Sequence, residues 1–446
     1  MTALHLLRQP SPVKVVLIER RGPIGLGAAY ATDDPAHRLN VRAGNMSAWP
    51  DRPDDFVDWL AGRGREVGPG GFATRGDYGR YLQGLLAALA EGPAAVGRLV
   101  ITPDEITAIT RAGDGWTLMC GMGRAFEADA VVLALGNPPP CPPDAMGADL
   151  AGSSAYVADP WRWDPAVLPP GDGPILLLGT GLTMIDAALS LARTAPGRPL
   201  VALSRRGLTP REHQGAPPSP LPDPPSPSLT PAGALAWLRA ATEYHDWRTA
   251  IDALRPATQA LWRGWSVRQR GAFLRHARAF WDVHRHRLSP EVAEQAARMR
   301  ASGDLRILAG KLQRADLLED RTVDVAWRPR GTRQQRRLRA DLIVNCTGPS
   351  ADVERSVEPL IASLAAQGLI RADPLRLGLD VDAGHRVLDV QGRAQPRLLA
   401  VGPITRGALW EINAVPDIRV QAAEAAAQVL RAFSSEVNTG SREENA

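Results

Sequence analysis

Gly179-Thr180-Gly181 interrupts the apolar run Ile175 to Leu178, and Ile185, Leu189 and Leu191 then recur at helical spacing. A second apolar run, Leu200 to Leu203, ends in Ser204-Arg205-Arg206. Strand, glycine turn, helix, strand is the order of a dinucleotide-binding unit. Gly179 permits the tight turn, and Gly181 lets a pyrophosphate approach the backbone. The helix that opens at Leu182 offers free N–H groups and the positive end of its dipole. Met184 holds the place of the third fingerprint glycine, which serves helix–strand packing rather than phosphate contact. An acid at the end of the second strand would grip a ribose hydroxyl; here Arg205 and Arg206 stand instead. Charge-assisted hydrogen bonds of about 1.5–3 kcal/mol each to a 2′-phosphate would favour NADPH over NADH. The plain alternative is a glycine turn in an ordinary α/β protein, with both arginines facing solvent.

Other strand ends carry further candidates. Val13 to Ile18 ends in Glu19-Arg20, with the acid where an adenosine ribose diol would be held, and Gly22, Gly25 and Gly27 follow in a loop. Ala130 to Leu135 runs into Gly136-Asn137, Leu342 to Cys346 into Thr347-Gly348-Pro349, and Leu398 to Val401 into Gly402-Pro403. Pro416-Asp417 suits the first turn of a helix reaching about Phe433. His284 and His286 in WDVHRHR fall on different faces of a helix, and no carboxylate pattern joins them, so no metal site is expected. That segment reads as a structural helix with a basic face, or as contacts to an anionic substrate or to NADPH phosphates. No Ser/His/Asp triad or paired-carboxylate motif is present, and no residue can be named a general base.

The elements that must position these residues follow from length and pattern. A chain of 446 residues implies two or three domains. The 52 basic and 48 acidic residues leave a net charge of only +4, with no basic block interleaved with aromatics, which argues against nucleic acid. Cys120, Cys141 and Cys346 lie far apart without a CxxC, which argues against a dithiol reductase, a zinc site or a disulfide scaffold. The opening Met1 to Arg8 reads as too short and polar for a signal peptide and no apolar run reaches membrane-spanning length, so a cytoplasmic protein acting on a small molecule is expected. Its oligomeric state is left open. Residues 74–90 read as a helix, 98–136 as an inserted β segment, and Asn137 to Pro143 as a proline-rich crossover. Gly215 to Pro231 reads as a surface excursion, about 232–301 as helical and rich in Trp and Arg, and 434–446 as a disordered tail. Leu305 to Leu308 and Val323 to Trp327 suggest short strands.

At this point the sequence resembles the NAD(P)/FAD-binding proteins related to flavin-containing and N-hydroxylating monooxygenases. The matching pieces are IERRGPIGLGAAYATDDPAHRLNVRAGNMSAWP, GTGLTMIDAALSL with LSRRGLTPREH, FLRHARAFWDVHRHR, VNCTGP and VGPITRGALWEINAVPDIRVQAA. The resemblance implies an α/β chain of two dinucleotide-binding domains: an FAD domain in two parts, 1–168 and 336–433, with an NADPH domain at 169–335 and its helical insertion at 215–301 between them. It implies FAD contacts from Glu19, Arg20, Asn40, Val41, Met46, Ser47, Gly136, Gly348, Gly402, Trp410, Glu411 and Ile412. NADPH contacts would come from Gly179, Thr180, Gly181, Leu182, Ser204, Arg205 and Arg206. For Trp410 a role in the core alone is the competing reading. The implied activity is that of a monooxygenase: NADPH reduces the flavin, and one oxygen of O2 passes to a soft nucleophile such as an amine. A reductase without oxygen insertion, or a nucleotide-binding protein that does not hold FAD, are the alternatives. The resemblance also implies a first strand and a GxGxxG loop just before the opening helix. Met1 falls where that loop hands over, so a start upstream of codon 1 is expected.

Overall fold

The computed structural model describes residues 1–20, 22–92, 96–214 and 222–443, with side chains described to residue 433. Its largest sheet has seven strands in the order 336–340, 323–329, 305–317, 200–204, 175–178, 342–345, 156–157. The last five of these pair in parallel, and the first two are added antiparallel. Ile175–Leu178 is buried along its whole length, which explains a strand apolar at every position. Helix Leu182–Thr194 covers one face through Met184, Ile185, Ala188, Leu189 and Leu191.

The domain boundaries differ from those expected. Leu342–Asn345 pairs with Ile175–Leu178, and Tyr156–Val157 pairs with Leu342–Asn345. Residues on both sides of the expected limits at 168/169 and 335/336 therefore belong to the nucleotide sheet. An apolar run alone cannot say which of two parallel sheets it joins. Leu305–Leu317 is also far longer than expected, because its second half forms a hairpin with Val323–Pro329, and Arg336–Ala340 adds an edge strand too charged to read as one.

The first domain holds three smaller sheets. Val15–Ile18 pairs in parallel with Leu99–Thr102, and Val131–Leu133 pairs in parallel with Ala394–Ala400. These two pieces are separate sheets, united by one cluster of Leu6, Val15, Val132, Leu399, Val401, Ala425 and Val429. The expected β segment is the antiparallel meander Ile106–Ala112, Gly115–Cys120 and Ala125–Ala128, with Trp116 fully buried.

The helix expected over 74–90 is Arg75–Glu91, with the Thr74 hydroxyl capping it by accepting from the Asp77 amide; Thr2–Arg8 and Asp55–Ala61 are two shorter helices of the same domain. The last helix, Val415–Glu443, runs through residues expected as a disordered tail. No proline interrupts it after its first turn, and the alanine-rich 422–427 favours propagation. The insertion spans helices from Pro231–Tyr244 to Pro290–Ser302. Of the expected proline-rich excursion, 215–221 lies outside the described residues. Among the described residues no helix is long and apolar enough to cross a membrane.

Candidate functional site

The turn after Ile175–Leu178 owes its shape to a close backbone approach. Gly179 has φ +109°, and a Cβ there would stand 2.3 Å from the carbonyl oxygen of Cys346 on the neighbouring strand. Its amide donates to the Leu203 carbonyl at 2.8 Å. Gly181 is different. It caps the helix with no side-chain hydrogen bond, and an added Cβ would meet no atom within 4 Å. The first turn of that helix carries no acid. The space beside Gly181 at this N-terminus is therefore open, as close approach of an anion requires. Thr180 points elsewhere: its buried hydroxyl bonds the Ser204 hydroxyl at 2.8 Å and donates to the Leu208 carbonyl. Ser204 Oγ also accepts from the Gly207 amide at 3.0 Å, so both hydroxyls shape the loop. Leu182 is half-buried, and Met184 is fully buried in the core where the third glycine would lie.

The two arginines at the strand end are not equivalent. Arg205 is exposed, and among the described residues it makes no ion pair or hydrogen bond. Arg206 lies over the Phe280 ring, 5.0 Å from its centroid, and its Nη2 donates to the Arg275 carbonyl at 3.4 Å.

In the first domain Glu19 ends its strand with its amide on the Thr102 carbonyl at 3.1 Å. Arg20 is clamped by carboxylates, donating to Glu105 at 2.5 Å and to both oxygens of Glu358. Those bonds raise its pKa further above the arginine norm despite its burial. The Asn40 carbonyl accepts from His213 Nε2 at 3.1 Å, and Val41 is half-buried. Met46 and Ser47 are buried, and the Ser47 carbonyl accepts from Arg419 of the last helix at 3.2 Å. Gly136, Gly348 and Gly402 all have positive φ and open space at Cβ; the Gly402 amide donates to Gln421 Oε1 at 2.7 Å.

Trp410 is buried and stacks on Trp262 of the insertion, with centroids 4.7 Å apart and planes at 24°. Trp262 Nε1 donates to the Gly407 carbonyl at 2.8 Å. Glu411 adopts φ +73° and is buried, as is Ile412. Its Oε1 accepts from Trp281 Nε1 at 2.8 Å, while Oε2 lies 3.4 Å from Arg285 Nε and 3.6 Å from His286 Nε2. Burial pushes the Glu411 carboxyl up, but His286 and Arg285 outweigh it and hold the group below its usual value. Burial lowers the pKa of the neighbouring His286 imidazole.

Two arginines of the WDVHRHR segment are buried. Arg285 is 6% exposed and Arg287 3%, and Arg287 pairs with Asp252. Among the described residues several buried donors have no hydrogen-bond partner, including Arg285 Nη2, Arg406 Nε, Trp410 Nε1 and Arg419 Nε.

Two groups stand out among the expected candidates, the glycine turn with the strand-end arginines and the 402–412 loop, and the insertion contacts both; Glu19, Arg20, Asn40, Val41, Met46, Ser47, Gly136 and Gly348 belong to neither. Sequence reading missed Phe280, Trp262 and Trp281, whose aromatic type was the only signal. It also missed a tie between the domains. Arg75 and Asp186 form a buried pair at 3.1 Å, beside His37, whose Nε2 lies 2.9 Å from Ser190 Oγ.

The fold is that of flavoenzymes with two dinucleotide-binding domains. The L-lysine 6-monooxygenase of Pseudomonas syringae superposes with a TM-score of 0.66 at 14% identity, covering 97% of each chain. The ornithine N-hydroxylase of Kutzneria sp. 744, solved with reduced FAD, NADP+ and L-ornithine, gives 0.63 at 17% identity, covering 97% of this chain and 96% of that one. The thioredoxin reductase of Lactococcus lactis gives 0.52 at 14%, covering 96% and 94%. Residues 1–138 match the FAD-NAD(P)-binding family, which bears out the resemblance drawn from the sequence. No curated protein sequence matches the chain.

Proposed function

We propose that the protein is an FAD- and NADPH-dependent oxidoreductase, a flavin monooxygenase acting on a small soft nucleophile such as an amine. The observation that carries the reading is the pairing of an open Gly181 cradle at a helix N-terminus with an unpartnered Arg205 at the adjoining strand end. Backbone amides there would hold the NADPH pyrophosphate, and Arg205 the 2′-phosphate. The residues present also fit FAD at its two ends. Glu19 suits the adenosine ribose, and the orphaned donors Arg406 Nε, Trp410 Nε1 and Arg419 Nε suit an acceptor-rich ring edge. Bound FAD supplies hydride acceptance from NADPH and, once reduced, the activation of O2. The protein's part is to orient and enclose. Gln421 fixes the Gly402 amide, and open Cβ space at Gly136 and Gly348 leaves room where the chain crosses between domains. Glu411, whose carboxyl lies below its usual pKa beside the buried Arg285, is a positioning charge and not a proton donor at neutral pH.

Purified protein tests the reading. Flavin absorbance that bleaches with NADPH, followed in air by an oxygenated amine detected by mass spectrometry, is the expected result. NADPH oxidation yielding only hydrogen peroxide with every amine tried would refute the monooxygenase and leave the reductase.

A further inference from the structure

A guanidinium recognises a phosphate with the N–H groups in its plane and an aromatic ring with its face. At the end of strand Leu200–Ser204 these two uses are divided between neighbours. Arg206 has one face on Phe280 and spends an in-plane N–H on the Arg275 carbonyl. Arg205 has neither engagement. The backbone between them and the next strand is fixed: Gly207 has φ +63°, and a Cβ there would stand 2.9 Å from Ala309 Cβ. The Arg206 side chain is therefore held as a plate on the insertion, and Phe280 beneath it is 44% exposed although it is a large apolar ring. In a dinucleotide unit the ribose lies at this strand end, with its base beside it.

We propose that the free face of Arg206 receives the adenine ring of NADPH. Phe280 of the insertion forms the floor of a three-layer stack, while Arg205 alone reads the 2′-phosphate. The inference rests on the NADPH reading above. It makes Phe280 a positioning residue that acts through Arg206, and it gives the insertion a part in coenzyme binding.

Calorimetric titration of the full-length protein with adenosine 2′,5′-bisphosphate and with 5′-AMP separates the roles, because the two ligands differ only in the 2′-phosphate. Phe280→Ala is expected to weaken both by the same factor, about two- to fivefold, the loss of an exposed cation–π contact. Phe280→Trp, which keeps a ring, should bind both at least as well as the native protein. Arg205→Ala should weaken only the bisphosphate. Unchanged Kd values in Phe280→Ala, a loss confined to the bisphosphate, or a Trp variant as weak as the Ala variant would each overturn the stack while leaving the NADPH reading intact. A native protein that binds neither ligand would remove the NADPH reading and the stack with it.

Discussion

His213 provides a titratable test of how the first domain is closed against the insertion. It is 9% exposed, its Nε2 donates to the Asn40 carbonyl at 3.1 Å, and its ring lies 4.9 Å from Phe72. Burial, then the charges of Arg287, Arg42 and Arg285, lower its pKa from 6.5 to about 3, against a smaller upward pull from Asn40. The folded protein thus resists a proton that the unfolded chain accepts. This contribution to stability is full above 6.5 and falls as pH drops toward 3. At about pH 5 the unfolded imidazole is nearly all charged and the folded one nearly all neutral. At about 1.4 kcal/mol per pH unit below 6.5, the loss relative to pH 7 is about 2 kcal/mol. His213→Gln retains a donor for Asn40 and removes the titration. Urea unfolding of both proteins at each pH should show the native protein losing about 2 kcal/mol more than the variant between pH 7 and pH 5. Equal losses would show that His213 is not held neutral and that the Asn40 contact is open to water.

Arg205→Ala should raise the Kd of NADP+ about ten- to hundredfold and leave that of NAD+ unchanged, as read by calorimetry. Gly179→Ala should unfold the turn or sharply lower the melting temperature, since its Cβ would meet the Cys346 carbonyl at 2.3 Å. Gly181→Ala should melt like the native protein yet bind NADP+ more weakly, because its methyl would enter the cradle and nothing else. Arg75→Ala leaves Asp186 as an uncompensated buried charge and should cost about 3–5 kcal/mol in urea unfolding. Restoration by the double variant Arg75→Ala with Asp186→Ala would confirm the pair as the cause.

Much of the nucleotide domain was legible because its rules are local. An all-apolar four-residue run, two glycines and a periodic helix follow directly from a strand buried on both faces and a turn that a ligand approaches. Gly179 and Gly181 read alike in sequence. The structure separates them into a residue fixed by protein backbone and one fixed by open space. Thr180 and Ser204 also read as ligand contacts, but their hydroxyls are committed to each other. The domain limits were misplaced for a related reason: Leu342–Asn345 would suit either sheet, and only its register with Ile175–Leu178 decides the matter. The tail and the hairpin strands were set by propagation and pairing, which a short window of sequence does not display.

The insertion was the least legible part, and it changes most in meaning. Its aromatic and arginine content has no period that names a partner, because the partners lie far off in the chain. Trp281 meets Glu411 across 130 residues, and Trp262 meets Gly407 across 145. Burying Arg285 and Arg287 demands compensation, since a lone buried charge costs several kcal/mol. Glu411 and Asp252 supply it at two separate points. The same helical run that holds Glu411 through Trp281 and Arg285 presents Phe280 to Arg206, one residue before Trp281 and five before Arg285. Arg206 at the strand end and Glu411 in the 402–412 loop therefore share one short helix, Arg278–Arg285, through which each is positioned relative to the other.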